Sequence, residues 1–509
     1  MKNIRINIIF LASTLIVLLG SCKKEFIEIQ PKGRFLTQNY YSNRGEAYSG
    51  LVAAYDVLRK NAGGFENMIT MMNAGSDDNY AGGGGATDGA GIQGFSNYTI
   101  TPAIMPRSFW SDHYQGIFRA NILLAKLPGV PMDAAEKARF TAEAKALRAT
   151  YYFNLVRLFK NVPLLLEPLN TSDIYNVTQA PPSAVYTQIE KDLNEAIPNL
   201  PSTVVLATEA GRFNKGAAQA MLGKVYLYDN KKTEAAAMLA QVNGTPGQAN
   251  QYGNRLLPNF ADLWVFTNKF NSESILEGLH TDKSNADWGF WGSSADEGNT
   301  ASQMVGPRSY TKTGPQAPDI YTSGWSFNVW TQDFYDLVKN DPRFSATVLD
   351  VKALAAAGQA TYIEGYQNTG YFLRKMIPMK SDVRTGGGSV ELNFQQNDYI
   401  IRLADTYLLE AEALGATGSR AQALLDAVRA RVGLPSVPVS MDAIKTERRL
   451  ELAGEGHRFF DLVRWGDAAT KLGSKQTGST TRFTAGKNEI LPIPAGELVG
   501  TKLVQNPGY

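Results

Sequence analysis

Apolar residues recur every three or four positions over much of the chain, the spacing that lines one face of an α-helix. In residues 142–159, Ala144, Leu147, Tyr151, Leu155 and Leu158 share such a face, and Asn161-Val162-Pro163 ends the run because proline cannot extend a helix. The spacing predicts a partner helix over 182–197, with Pro182 or Ser183 near its start. A second pair is predicted over 214–242, where Ala217, Ala220, Met221, Lys224 and Tyr228 form one stripe and "DNKK" makes the turn. A third pair covers 399–433 and turns at Gly415–Ser419; a fourth joins 43–60 with 109–127. The chain therefore reads as mainly α. Its four helix hairpins have small residues at their crossings and resemble tetratricopeptide units, dispersed and imperfect rather than a regular array.

Two long stretches break this pattern. Residues 72–100 and 243–330 are rich in Gly, Asn, Ser, Trp and Tyr. Structureless loops of such length are uncommon in compact domains unless they carry function. The ligand surface is therefore expected there, carried on the helices.

The N-terminus reads as a leader. Lys2 and Arg5 precede the apolar run "IIFLASTLIVLLG", which has the length of a signal-peptide core and is short for a bilayer span. "LGSC" follows, and its Cys22 is the only cysteine of 509 residues. The tetrapeptide resembles a bacterial lipobox, in which cleavage falls before the cysteine and the new terminus is acylated. A lone thiol provides no disulfide framework, whereas two or three acyl chains anchor a protein durably. The expected division is a leader over 1–21, a lipidated Cys22 with a polar tether over 22–36, and one large domain over 37–509. Removing Lys2 and Arg5 takes the formal charge from +2 to about zero. A neutral surface offers no electrostatic footprint for nucleic acid.

The candidate chemistry favours binding over catalysis. Asp77, Asp78, Asn79 and Tyr80 in the first loop set an aromatic beside polar groups; Trp288, Phe290, Trp291, Tyr321 and Trp325 in the second supply rings among glycines. Rings cover the C–H face of a sugar at low entropic cost, while polar side chains read its hydroxyl rim. Trp110, Trp330 and Trp465 have helical or charged settings and read as structural. "AGGGGATDGAG" lacks the Lys-Ser/Thr of a phosphate loop and reads as a flexible loop able to close over a ligand. His113, His280 and His457 are scattered without metal-ligand spacing, so no metal or cofactor is expected. Asp77-Asp78-Asn79 departs from the EF-hand calcium pattern. A glycosidase pair, such as Asp77 with Asp296 or Glu297, is not marked by any motif. In residues 446–466 Arg448, Glu451, Glu455, Arg458, Asp461 and Arg464 recur at helical spacing. Surrounding arginines would depress these carboxyls, so they read as a fixing ion network rather than as acid and base.

Several blocks in order then resemble one family: "LRATYYFNLVRLFKNVPLL", "DPRF" (341–344), "RLADTYLLEAEAL", "ERRLELAGEGHRFFDLVRWG", "ILPIPAGEL" and the terminal "NPGY". Together they resemble the SusD/RagB lipoproteins of the Bacteroidetes outer membrane, over essentially the whole mature chain. The resemblance implies a helical scaffold of four tetratricopeptide-like pairs bracing a loop-rich ligand part, with a family C-terminal region over about 331–509. It implies a non-enzymatic lipoprotein at the cell surface that captures oligo- or polysaccharide and hands it to a SusC-like TonB-dependent transporter. RagB-like relatives imply the alternative, peptide uptake.

Overall fold

The computed structural model describes residues 40–509 except 171, 290–296, 383–384, 476–479 and 481. Numbering the helices of eight residues or more, these are α1 (Arg44–Tyr55), α2 (Met68–Gly75), α3 (Ser108–Lys126), α4 (Ala134–Phe159), α5 (Pro182–Ala196), α6 (Lys215–Tyr228), α7 (Lys232–Asn243), α8 (Leu403–Ala413), α9 (Gly418–Arg431), α10 (Met441–Glu451) and α11 (Arg458–Trp465). Their starts are chemically marked. Asn43, Asn67, Asp133, Asn214 and Ser440 each accept a hydrogen bond from a backbone N–H two or three residues into the following helix, satisfying a donor that the first turn leaves unpaired.

The four expected pairs pack as pairs: α1 on α3, α4 on α5, α6 on α7, and α8 on α9. Further contacts of α3 with α4, α5 with α6 and α7 with α8 join them into one scaffold. Small residues permit the close crossings. A methyl added at Gly116 of α3 would fall 2.5 Å from the Tyr151 ring of α4, and one at Gly223 of α6 would fall 2.6 Å from Leu239 of α7.

Strands are few. β1 (Ser274–Gly278) pairs antiparallel with β6 (Asp398–Arg402), in the register Glu277 to Tyr399 and Gly278 to Asp398. β2 (Thr311–Lys312) pairs with β4 (Ala360–Thr361), and β3 (Val348–Asp350) with β5 (Tyr371–Leu373).

The stretch over 72–100 departs from its expectation as an irregular loop. It holds the end of α2 and a short helix, Ala90–Ser96, and buries Ile92, Phe95, Tyr98 and Ile100 in the main core. Two of its glycines are packed tightly against the second loop. Gly82, at φ +70°, leaves 2.2 Å between an added methyl and the Ser326 carbonyl, and Gly83, at φ +90°, abuts the Phe327 ring. Positive φ is strained for side chains larger than glycine's hydrogen.

The C-terminal charges form two buried networks. In the first, Arg402 donates to Glu273, Glu451 and Glu455 at 2.6–2.9 Å, Arg343 to Asp341, Glu447 and Glu451 at 2.6–3.0 Å, and Arg429, Arg431 and Lys375 complete it. Its five cations meet five carboxylates. In the second, Lys224, Arg448 and Arg464 meet Asp405, Asp461 and Glu412. Burial alone would raise these carboxyls, yet the surrounding cations outweigh it: Arg431, Arg402 and Arg343 hold Glu451, and Lys224 and Arg448 hold Asp405, well below the usual range. What the networks join is the architecture: β6, α8, α9, α10 and α11 are tied together through charge.

Candidate functional site

The two long loops meet in space, through segments that the sequence separates by more than 200 residues. Segment 78–83 runs beside segment 326–331 through Tyr80 N to Val329 O at 2.9 Å, Asn328 N to Ala81 O at 2.9 Å, Gly83 N to Ser326 O at 2.8 Å and Thr331 N to Asp78 O at 2.8 Å. A second ladder holds residues 324–327 against 303–307, with Trp325 N donating to Gln303 O at 3.0 Å and Ser326 N to Gly306 O at 2.8 Å. Gly324 and Gly306 touch backbone to backbone there; a methyl on Gly324 would lie 2.2 Å from the Gly306 Cα. Trp325 is thus presented by a rigid base.

On that base three rings form a row among the described residues. Phe65 and Trp325 have centroids 6.2 Å apart at 41°, and Trp325 and Trp288 6.0 Å apart at 32°. Phe327 braces Phe65 from beneath, edge-on at 5.3 Å, and is buried. The outer ring, Trp288, is 53% exposed, which is unusual for so large an apolar group. The tilts make the strip faceted rather than flat. Beside it stands Arg308, which donates to the Trp325 carbonyl at 3.2 Å and lies 3.6 Å from Asp88. Its Nε is buried and has no hydrogen-bond partner among the described residues. With 34% of the Arg308 side chain exposed, the strip combines stacking faces with guanidinium donors at its edge, the two elements that a neutral, hydroxyl-rich ligand requires.

The remaining candidates are placed differently. Asp77 and Asp78 do not face this strip with free oxygens. Asp77 accepts from Arg458 at 2.8 Å, and Asp78, 2% exposed, pairs with Arg449 at 2.6 Å. Burial pushes the Asp77 carboxyl up, but the hydrogen bond and charge of Arg458, with Arg449 beside it, bring it down to about 2. These aspartates close the first loop onto α10 and α11. Asn79 is buried and donates to the Asn328 carbonyl at 2.8 Å. Tyr80 is half-buried, with the Lys475 ammonium 6.0 Å from its ring centre. Tyr321 packs edge-on against Phe394 at 6.3 Å. Trp288 and Trp325 are the candidates brought together. Cys22, Phe290 and Trp291 lie outside the described residues. Trp110 and Trp330 are core, as their settings imply, and Trp465 donates to Glu412. Sequence reasoning missed Phe65, Arg308 and Asp88. Phe65 follows two glycines in a short connection and bears no motif.

The chain is similar to known proteins over most of its length. The family model described as "SusD family" matches residues 290–509, and one described as "Starch-binding associating with outer membrane" matches residues 71–227. A "SusD-like protein P25" of Formosa agariphila is 25% identical over 88% of this chain and 87% of its own. Among solved structures, a "Laminarin binding SusD-like protein" is 63% identical, with a TM-score of 0.90 over 92% of this chain and all of its own. Surface glycan-binding protein A from Bacteroides thetaiotaomicron, solved in complex with laminarihexaose, is 26% identical, with a TM-score of 0.81 over 91% of this chain and 99% of its own. High identity over nearly the full length, together with matching blocks at both ends of the domain, establishes that this chain belongs to the SusD family.

Proposed function

We propose that this protein binds a neutral glucan of the laminarin type at the cell surface, without cleaving it, and hands it to a SusC-like TonB-dependent outer-membrane transporter. Phe65, Trp325 and Trp288 stack on the sugar faces, and Arg308 reads hydroxyls at the edge. The observation that carries this reading is the tilted row of three rings, its outer member Trp288 exposed, on a backbone base packed too closely to admit a methyl at Gly324. The 63% identical relative, named for laminarin binding, supports the choice of glucan. Cys22, lipidated after removal of residues 1–21, would hold the domain at the outer membrane with its ligand face outward. Peptide capture is the competing role; it calls for a groove pairing with backbone amides, and an aromatic strip favours the glycan.

The test is calorimetry on the lipid-free chain from Lys23 onward, with laminarihexaose, other neutral and acidic polysaccharides, and a peptide digest. Binding of laminarihexaose without release of reducing ends supports the proposal. Binding of peptides alone overturns it, and turnover would return the protein to the hydrolases.

A further inference from the structure

The scaffold forms a cavity of about 70 Å³, lined by Lys60, His113, Asn154, Arg157, Lys224 and His457, among others, and by none of the three rings of the row. A water takes up about 30 Å³ of liquid, so the space admits about two such particles and no sugar ring.

The charges around it do not cancel. Lys60 is paired with Asp112 at 3.1 Å. Lys224 belongs to the second network, where three cations meet three carboxylates. Glu455, the carboxylate in the lining, is taken up by Lys375 and Arg402 in the first network. Arg157 stands outside both. Its partners among the described residues are neutral: the Phe153 carbonyl at 3.2 Å, Asn154 Oδ1 at 2.5 Å, and the rings of Phe153 and Phe460, each 4.1 Å from the guanidinium carbon.

The neighbouring amide and imidazole are committed in one direction. Asn154 gives its oxygen to Arg157, so its Nδ2 donates to His113 Nε2 at 3.1 Å. That makes His113 Nε2 an acceptor, and Nδ1–H donates to the Phe109 carbonyl at 2.8 Å. Burial pushes the His113 pKa down to about 4, in keeping with this neutral tautomer. His113 thus offers the cavity no free lone pair, His457 is held neutral by burial, and Arg157 and Lys224 retain N–H groups. A cation left without a counter-charge in such a setting is costly.

We propose that this cavity binds one small monovalent anion of halide size, held by Arg157 and Lys224. The anion neutralises the one guanidinium in the lining that has no carboxylate partner among the described residues, and joins α4 to α6. Nothing in this inference depends on the glycan ligand.

Two measurements test it on the lipid-free chain. Thermal unfolding is followed in sodium chloride and in sodium gluconate at equal ionic strength, for the natural protein and for Arg157→Met. The expected result is a saturable rise in Tm with chloride that the variant lacks. Crystals grown in bromide are then examined for anomalous scattering, with a bromide peak expected in the cavity. Equal Tm in both salts overturns the proposal, as does bromide confined to the surface. Should Arg157→Met fail to fold, the bromide position alone decides.

Discussion

Glu451 is the carboxylate on which the first ion network converges, and its neutralisation has a calculable effect. Its side chain is fully buried and takes hydrogen bonds from Arg402 at 2.6 Å, Arg343 at 3.0 Å and Arg431. Glu451→Gln keeps the shape but removes one negative charge from a balanced set of five and five. Its amide can place oxygen toward one side of the site. The NH₂ group must then face a guanidinium, donor against donor. Breaking a buried, hydrogen-bonded ion pair costs about 3–5 kcal/mol, because the partners remain buried without compensation. An exposed pair costs about 0.2–1 kcal/mol. Urea unfolding of the natural and Glu451→Gln proteins should therefore show a midpoint shift equivalent to about 3 kcal/mol or more. Laminarihexaose affinity of the folded variant should be unchanged, since the network's ion pairs involve neither the three rings nor Arg308. A loss below about 1 kcal/mol would refute the claim that charge balance holds these helices together.

Two further outcomes follow from the same physics. Burial depresses the imidazole pKa of His113 and His457 to about 4, below the ordinary value of about 6.5. The unfolded chain then binds more protons between these values, so stability should fall as pH drops from about 6.5 to 4; His113→Gln and His457→Gln should each flatten that slope in melts taken across the range. Gly324→Ala drives a methyl into the Gly306 backbone and must displace the base of Trp325; it should weaken glycan binding about tenfold or more, read by calorimetry on protein whose circular dichroism is unaltered.

The helices were readable because their apolar spacing is local: Leu147, Tyr151, Leu155 and Leu158 are all buried on the face the spacing predicts. The charged run over 446–466 was likewise readable as structural, since its acids lie among arginines. Its full extent was not, because Arg402, Arg343 and Glu273 come from distant segments. The same limit explains Asp77 and Asp78. Each looked like a free polar reader in its own loop, yet each is matched to an arginine more than 370 positions away. The binding row was half legible. Trp288 and Trp325 stood out among glycines, whereas Phe65 gains its role only when the loops meet, through backbone hydrogen bonds that no side-chain pattern encodes.

The central claim is that an exposed aromatic strip captures a neutral glucan. Calorimetry of Trp288→Ala against laminarihexaose tests it most directly, because this ring is the most exposed of the three and its loss leaves the core intact. The account predicts affinity weakened by about 1–3 kcal/mol with an unchanged Tm; affinity equal to that of the natural protein would contradict it.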